Sequence, residues 1–370
     1  MRILINHVSP VANVITGITA YTWSITEALA RADGHEVFLC TNWDRDFVPA
    51  AIRNTATDII HAPTAKNESA AFLQRAIALP GLERKHAFDV IFTPHYYQVP
   101  LSRAARVTVV HDFYILAYPA YFRWTRHLQW NAIFPLSLRR SDMVVCVSGA
   151  TQDELFKYYK VDPAKVAIVH EASALSSSAK ASADRPVDEP YGLMVANLEA
   201  TKNVTQLFEA LRLLQSEGST PRIVLVGSDR TGAVSAFCAQ EPGVRLTHIP
   251  RVSDDQLASL YKHARCYINT SLSEGFCLPI LEAQSFGTPV ICSDIPVLHE
   301  VAGTGALFVP PTDPHALKVA IRRAFAEDDL AARLSHAGIV NAQRFSWDRA
   351  ARETLSAFES AIARRRSRTP

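Results

Sequence analysis

Two glutamates, Glu274 and Glu282, stand eight residues apart in "SEGFCLPILE", with a glycine, a cysteine and a proline between them. The residues before them, Cys266–Asn269, read as a buried strand. Pro279 suits the first turn of a helix. Residues 270–278 are therefore a strand-to-helix turn, which Gly275 is expected to ease. The first N–H groups of a helix lack partners within it. Those of Phe276, Cys277 and Leu278 would form an anion site, with phosphate its usual occupant. Carboxylates repel phosphate, so the two glutamates need a different ligand group. An ionised carboxylate only accepts hydrogen bonds, and sugar hydroxyls can supply the donors. A glutamate in a helix's first turn also complements the helix dipole. A plain capping pair therefore remains a competing reading on spacing alone.

The elements that would position this turn alternate along the whole chain. In the first half, continuous apolar runs lie at residues 3–5, 37–40, 90–92, 107–110, 143–147 and 166–169, with helical patterns at 20–30 and 151–159. Strands buried on both faces look like this, which favours parallel sheets covered by helices. Residues 173–190, "SALSSSAKASADRPVDEP", are rich in Ser, Ala and Pro and lack an apolar period, so they read as a linker. The alternation then restarts. Strand patterns fall at 193–196, 223–226, 244–247, 266–268, 290–292 and 307–309, and helical ones at 204–215, 254–263, 279–286 and 315–326. Ser253 with Gln256 suits a capping box for the helix at 254–263. This predicts an α/β protein with domains at 1–175 and 191–348, a linker at 176–190, and a closing helix at 349–370. In such folds ligands sit outside the carboxyl ends of the strands. Two facing domains would share one cleft, which alone does not choose between an enzyme and a binding protein.

Composition narrows the classes. A length of 370 residues exceeds what one core usually supports. Hydrophobic residues at 48% and charged residues at 20% describe an ordinary globular chain. A net charge of +2 is too small for a general nucleic-acid binder, and none is expected as partner. The six cysteines form no C-x-x-C and read as free thiols of a reducing compartment. No signal-peptide pattern or membrane-length apolar run is evident, so a cytoplasmic protein is expected. A G-x-G-x-x-G after the first strand would mark a dehydrogenase, and "NHVSPVAN" lacks it.

The segment "EGFCLPILEAQSFGTPVICSDIPVLHEVAG" resembles the E-x7-E signature of glycosyltransferase family four, the retaining, glycogen-synthase-like group with the GT-B fold. "VSDDQLASLYKHARCYINTS" is similar to that family's helix and strand before the motif, and "RFSWDRAARETL" to its closing helix, which the resemblance implies packs back, over 349–370, on the N-terminal domain. In the first half, "VTVVHDFYILAYP" and "DMVVCVSGATQDELFKYYKV" are similar to its acceptor-domain strands. The resemblance implies two Rossmann-like domains facing an interdomain cleft, with a nucleotide-diphosphate sugar as donor and a sugar or lipid-linked sugar as acceptor. It implies that Glu274 meets donor-sugar hydroxyls, that Glu282 accepts from the ribose, and that Gly275, Phe276, Cys277 and Leu278 line sugar or diphosphate. Lys202, in "NLEATKNV", matches the basic residue that neutralises the leaving diphosphate, a charge the chemistry requires. The bland alternative is an exposed loop lysine. His111, at the end of a strand and before Asp112, matches a histidine facing the donor sugar, the alternative being a satisfied strand-end residue. Gly17 matches a glycine loop before the first helix, thinly, since relatives often carry two or three glycines. The catalytic set implied is His111, Glu274 and Lys202.

Two departures from the family pattern stand out. Ala196 and Asn197 occupy the strand end where many relatives carry "G-R", and asparagine cannot supply a charge. Lys202 then acts alone, or with Arg230 or Arg251. Cys277 stands where the family usually has a second glycine. Asp44 and Asp46 form a D-x-D in a poorly matching stretch. With the leaving-group cation on the protein, no metal or cofactor is expected. Residues 121–140, from Tyr121 to Arg140, mix aromatics with basic residues, as an interfacial helix does. An ordinary packed helix has the same composition. With the basic tail it allows peripheral contact with the inner face of a cytoplasmic membrane.

The expected activity is retaining transfer of a hexose to an acceptor hydroxyl in polysaccharide, O-antigen or glycolipid synthesis. The relaxed "NLEATKN" loop resembles some mannosyltransferases and leans the donor to GDP-mannose, with UDP-sugars open. A same-fold synthase acting on a soluble sugar and a catalytically silent nucleotide-sugar binder are the alternatives.

Overall fold

The computed structural model describes residues 1–8, 16–62, 81–98, 102–173, 175, 186–229 and 231–368. Most of the linker, Arg230 and the residues just before Thr16 lie outside these. The chain forms two units, Met1–Ala172 with Ser346–Pro370, and Ser173–Phe345.

The first unit holds β1(Arg2–His7), α1(Gly17–Arg31), β2(Glu36–Thr41), α2(Ala50–Thr55), β3(Asp58–His61), a helical segment at 81–86 (α3), β4(Val90–Thr93), β5(Ala105–Val110), α4(Tyr114–Ala117), α5(Trp124–Arg140), β6(Met143–Cys146), α6(Gly149–Tyr158) and β7(Val166–Ile168). Every residue of β4, β5 and β6 is buried. Strands apolar on both faces need helices on both sides, and a parallel sheet with helical crossovers supplies them. All seven strands pair in parallel, in the order β3-β2-β1-β4-β5-β6-β7.

The second unit holds β8(Tyr191–Val195), α7(Val204–Ser216), β9(Arg222–Val226), α8(Ala233–Gln240), β10(Leu246–Ile249), α9(Asp254–His263), β11(Cys266–Asn269), α10(Leu278–Ser285), β12(Val290–Ser293), α11(Pro296–Ala302), β13(Ala306–Val309), α12(Pro314–Ala326) and α13(Asp328–Ala342). Its six strands are also parallel, in the order β10-β9-β8-β11-β12-β13. Leu207, Leu211 and Leu214 from α7 and Leu317 and Ile321 from α12 pack on Ile223, Leu225 and Ile268 of the sheet. The predicted capping box at Ser253 and Gln256 is present and starts α9.

The last helix, α14(Trp347–Arg368), lies on the first unit. Its buried residues Ala350, Ala351, Thr354, Ala357, Phe358 and Ala361 repeat at helical spacing. Four of these six positions between Ala350 and Ala361 are alanines, which permit close approach to the strands, while Phe358 meets Phe92 of β4 at 5.2 Å and Trp347 meets Tyr21 of α1 at 5.8 Å. Farther along, Arg368 lies 3.6 Å from the buried Asp142 and Arg364 lies 3.3 Å from Asp162.

Candidate active site

In the second sheet the chain runs outward from β8 in one direction through β9 and β10, and in the other from β11 through β13. The loops leaving the carboxyl ends of β8 and β11 therefore flank the point where ligands bind in open α/β sheets. Two hydrogen bonds stitch these loops together. Thr270 Oγ1 donates to the Lys202 carbonyl at 2.8 Å, and the Leu272 N–H donates to the Thr201 carbonyl at 2.8 Å.

Lys202 closes a short 3-10 turn, Ala200–Lys202, after β8. Asn203 follows in the left-handed region at φ 48°, and its side-chain amide donates to the Pro311 carbonyl at 2.7 Å. The turn aims the ammonium of Lys202 at Glu274, 2.8 Å from each carboxylate oxygen. Glu274 also accepts from Ser271 Oγ at 2.6 Å, and Asn269 Nδ2 lies 3.4 Å from the same oxygen. Burial is the largest influence and works against the lysine's charge, but the charge and hydrogen bond of Glu274, with smaller contributions from Cys277 and Glu199, together hold Lys202 above the ordinary lysine value. The result is a charged pair whose carboxylate is nearly buried, with the lysine side chain 22% exposed. Lys202 is thus not an exposed loop lysine.

The turn is not eased where the sequence suggested. Gly275 is not in the left-handed region; Cys277 is, at φ 80° and ψ 67°, as the residue capping α10. A side chain in that conformation costs about 1–2 kcal/mol. Phe276 is a core anchor, 3% exposed and edge-on to Phe345 at 5.7 Å. Pro279 has no N–H, and that of Ile280 turns back to the Cys277 carbonyl at 3.1 Å. The donors at the start of α10 are thus the N–H groups of Cys277 and Leu278.

Glu282 lies in the middle of α10, 9% exposed. Tyr261 of α9 donates to its Oε2 at 2.8 Å. Burial pushes its carboxyl up to about 7, the Tyr261 hydrogen bond opposes this, and the charge of Asp254 adds to it. Asn197 sits at the end of β8, and its Oδ1 accepts from the N–H and hydroxyl of Ser228 at 3.2 and 2.9 Å. Beside it Gly227 has φ 137°, and a Cβ there would stand 2.0 Å from the Ala196 carbonyl. This strand end therefore accepts only glycine at 227. Arg251 is exposed, and Arg230 lies outside the described residues.

The remaining predicted residues belong to the first unit. His111 follows β5, with Nδ1 3.2 Å from Glu171 Oε1 and Nε2 3.0 Å from the Pro94 carbonyl. Both ring nitrogens thus lie against oxygen atoms, and which of them donates depends on the tautomer. Asp112 accepts from the Tyr114 N–H at 3.1 Å and from the Tyr96 hydroxyl at 2.7 Å, closing a local turn. Gly17 is the first residue of α1, after the capping Thr16, and among the described residues a Cβ there would meet nothing within 4 Å. Asp46 is exposed and lies 3.9 Å from Arg53.

The second unit thus gathers Lys202, Glu274 and Cys277, with Glu282 on the helix they lead into, while Asn197 is committed to Ser228. Sequence reasoning missed Asn269, Ser271, Tyr261 and Glu171. The run of small polar residues "NTSLSE" directly after an apolar strand was the available signal for Asn269 and Ser271. Nothing local marks Tyr261 or Glu171, whose partners lie 21 and 60 residues away.

Solved structures share this architecture throughout. Sucrose-phosphate synthase from Thermosynechococcus elongatus superposes with a TM-score of 0.77 at 22% identity, covering 98% of this chain and 99% of that one. WaaG, a glycosyltransferase involved in lipopolysaccharide biosynthesis, gives 0.73 at 16% identity over 96% and 98%. Anabaena HepE in complex with UDP-glucose gives 0.72 at 17% identity over 96% and 99%. The fold is the GT-B arrangement of glycosyltransferases. The family model "Glycosyltransferase Family 4" matches residues 15–172 and "Glycosyl transferases group 1" matches 177–340. The chain belongs to glycosyltransferase family 4, and it is a glycosyltransferase. Among curated relatives, O-antigen chain mannosyltransferase B of Escherichia coli is 28% identical over 73% of this chain and 74% of its own length. The O-antigen chain mannosyltransferase RfbU of Salmonella typhimurium is 26% identical over 83% and 86%.

Two outcomes follow from the geometry. Lys202→Met strands the Glu274 carboxylate and is expected to cost about 2–4 kcal/mol in urea unfolding, less than a fully buried pair because the lysine is partly exposed. Adding Glu274→Gln should recover part of that loss. Glu282 has a folded value above its unfolded one, so its contribution to stability is full below about pH 4.5 and is lost as pH rises through about 7. Relative to Glu282→Gln, the wild-type chain should lose up to ~1.4 kcal/mol per pH unit across that window.

Proposed function

We propose that this enzyme moves a hexose from a nucleotide-diphosphate sugar to an acceptor hydroxyl with retention of configuration. The observation that carries the reading is the Lys202–Glu274 pair at the switch point of the second sheet, beside the start of α10. An arriving diphosphate competes for the lysine, since a phosphate oxygen is as good an ion-pair partner as a carboxylate. Glu274, released from Lys202, then has lone pairs for sugar hydroxyls, while Ser271 and Asn269 keep it oriented. Expelling the nucleoside diphosphate builds negative charge, and a fixed ammonium stabilises it in place. The reading therefore calls for no metal or cofactor. Glu282 takes the ribose: a hydroxyl donating to it favours the ionised carboxylate, so nucleotide binding should strengthen as pH rises through about 7.

The acceptor is bound by the first unit in this reading, with Gly17 and His111 on its ligand side. A departing phosphate oxygen takes the proton from the acceptor hydroxyl as the hydroxyl oxygen attacks the anomeric carbon from the same face. The mannosyltransferase relatives support mannose as the transferred sugar, for which GDP-mannose is taken as donor, and O-antigen or similar polysaccharide as product. The UDP-glucose complex of the Anabaena protein supports UDP-sugars as the other choice. A thermal-shift screen with GDP-mannose, UDP-glucose, UDP and GDP tests this by mass action. GDP-mannose should raise the melting temperature most; no shift with any nucleotide would contradict a donor site.

A membrane-borne acceptor fits the surface of α5. The observed helix starts at Trp124 rather than at residue 121, after a 3-10 turn at Pro119–Tyr121. One face buries Trp130, Phe134 and Leu138. The other exposes Trp124 (74%) and Leu128 (63%), with Arg123, Arg139 and Arg140 also exposed. Among the described residues no helix is long and apolar enough to cross a membrane. An apolar pair framed by arginines suits the headgroup layer of an anionic bilayer. The enzyme should co-sediment with vesicles containing phosphatidylglycerol, and Trp124→Ser with Leu128→Ser should abolish this. Equal recovery of both proteins would contradict it.

A further inference from the structure

One tyrosine hydroxyl of the first unit is buried without any gain in stability to account for it. Tyr21 of α1 is fully buried, and its hydroxyl makes no hydrogen bond among the described residues. Phenylalanine would fill nearly the same volume without leaving a buried polar atom unpaired. The Tyr21 ring lies 4.9 Å from that of His111, and Trp347, at the start of α14, packs on it at 5.8 Å. Burial and, after it, the charge of Glu171 hold the hydroxyl well above the ordinary tyrosine range, so it stays a donor. Glu171 is itself 5% exposed, and among the described residues its one hydrogen-bond partner is His111 Nδ1, at 3.2 Å. A donor without a partner and a carboxylate with a single partner thus bear on the same imidazole.

If a nitrogen of His111 leaves Glu171 for a substrate hydroxyl, a buried carboxylate is stranded, and such a loss is costly enough to bar the movement unless another donor replaces the ring. We propose that Glu171 and Tyr21 are positioning residues for His111: Glu171 holds the ring at rest, and the Tyr21 hydroxyl takes over Glu171 when the ring turns to a substrate hydroxyl. This rests on the reading above that His111 lies on the ligand side of the first unit. No proton changes owner, since tyrosine donates to the carboxylate while keeping its O–H, and the imidazole meets the hydroxyl in the tautomer it already has. Both partners sit where the chain passes between units. Glu171 is the residue before Ala172, where the first stretch of this unit ends, and Trp347 follows Ser346, where the second begins. The segments by which the chain leaves and rejoins the unit therefore both act on this one ring.

The test compares the wild-type chain, Tyr21→Phe and Glu171→Gln by thermal unfolding, by nitrogen NMR of the histidine rings, and by release of GDP from GDP-mannose or UDP from UDP-glucose with water or free mannose as acceptor. The His111 signals are assigned as those missing from His111→Gln. Tyr21→Phe should unfold at the same temperature or higher, since it loses only an unpaired buried hydroxyl, and should leave the resting His111 signals in place. Its kcat should nonetheless fall at least about tenfold, with KM for the nucleotide sugar within about threefold. Glu171→Gln should shift the resting His111 signals and leave those of the other histidines. A clear fall in the unfolding temperature of Tyr21→Phe, an unchanged kcat in it, or unmoved His111 signals in Glu171→Gln would each overturn the inference. A wild-type chain that releases neither nucleotide would instead overturn the donor reading, and the inference would fall with it.

Discussion

The pairing of Lys202 with Glu274 depends on more of the second unit than any other single interaction. It joins the loop after β8 to the loop after β11, and the two loops are already tied through Thr270 and Leu272. A bidentate ion pair at 2.8 Å needs both backbones placed to a fraction of an ångström. The left-handed Asn203 behind Lys202, the glycine at 227 and the left-handed Cys277 all serve that placement. A carboxylate this buried is tolerated because a cation faces it, and the same cation is what a leaving diphosphate needs. In the function proposed here, one pair is a structural latch before the donor arrives and charge stabilisation once it is bound.

The first unit is built differently around its candidate residue. His111 has both ring nitrogens taken by the carboxylate of Glu171 and the carbonyl of Pro94, and the edge of Tyr21 lies against it at 4.9 Å. This fixes the ring at the ends of β4, β5 and β7, and any part it plays toward a sugar runs through its face, its carbon edge or a local rearrangement. The helix α14 buries Phe358 against β4 of the same unit, so the end of the chain completes the core of the beginning.

Much of this was legible because parallel strands buried on both faces leave an unbroken apolar run. Cys266–Asn269 and Val290–Ser293 were visible in that way. The strand Asp58–His61 was not, because it lies at a sheet edge, is partly exposed and carries only two apolar residues. An edge strand of the second sheet, Leu246–Ile249, was placed two residues early for the same reason. The two glutamates and Lys202 were legible through the family pattern and through the charge that the chemistry demands. What could not be read was geometry created by the fold: Tyr261 on Glu282, Glu171 on His111, and the shift of the left-handed position from Gly275 to Cys277. Those depend on contacts between distant segments, for which spacing along the chain carries no signal.

The central claim is that Lys202 is the cation that takes the donor's diphosphate. Calorimetric titration of the nucleoside monophosphate and diphosphate into the wild-type chain and Lys202→Gln tests it most directly. The account predicts that the wild-type chain binds the diphosphate at least about tenfold more tightly than the monophosphate, and that Lys202→Gln erases the difference while leaving monophosphate affinity nearly unchanged. An undiminished preference for the diphosphate in a folded Lys202→Gln variant would contradict it.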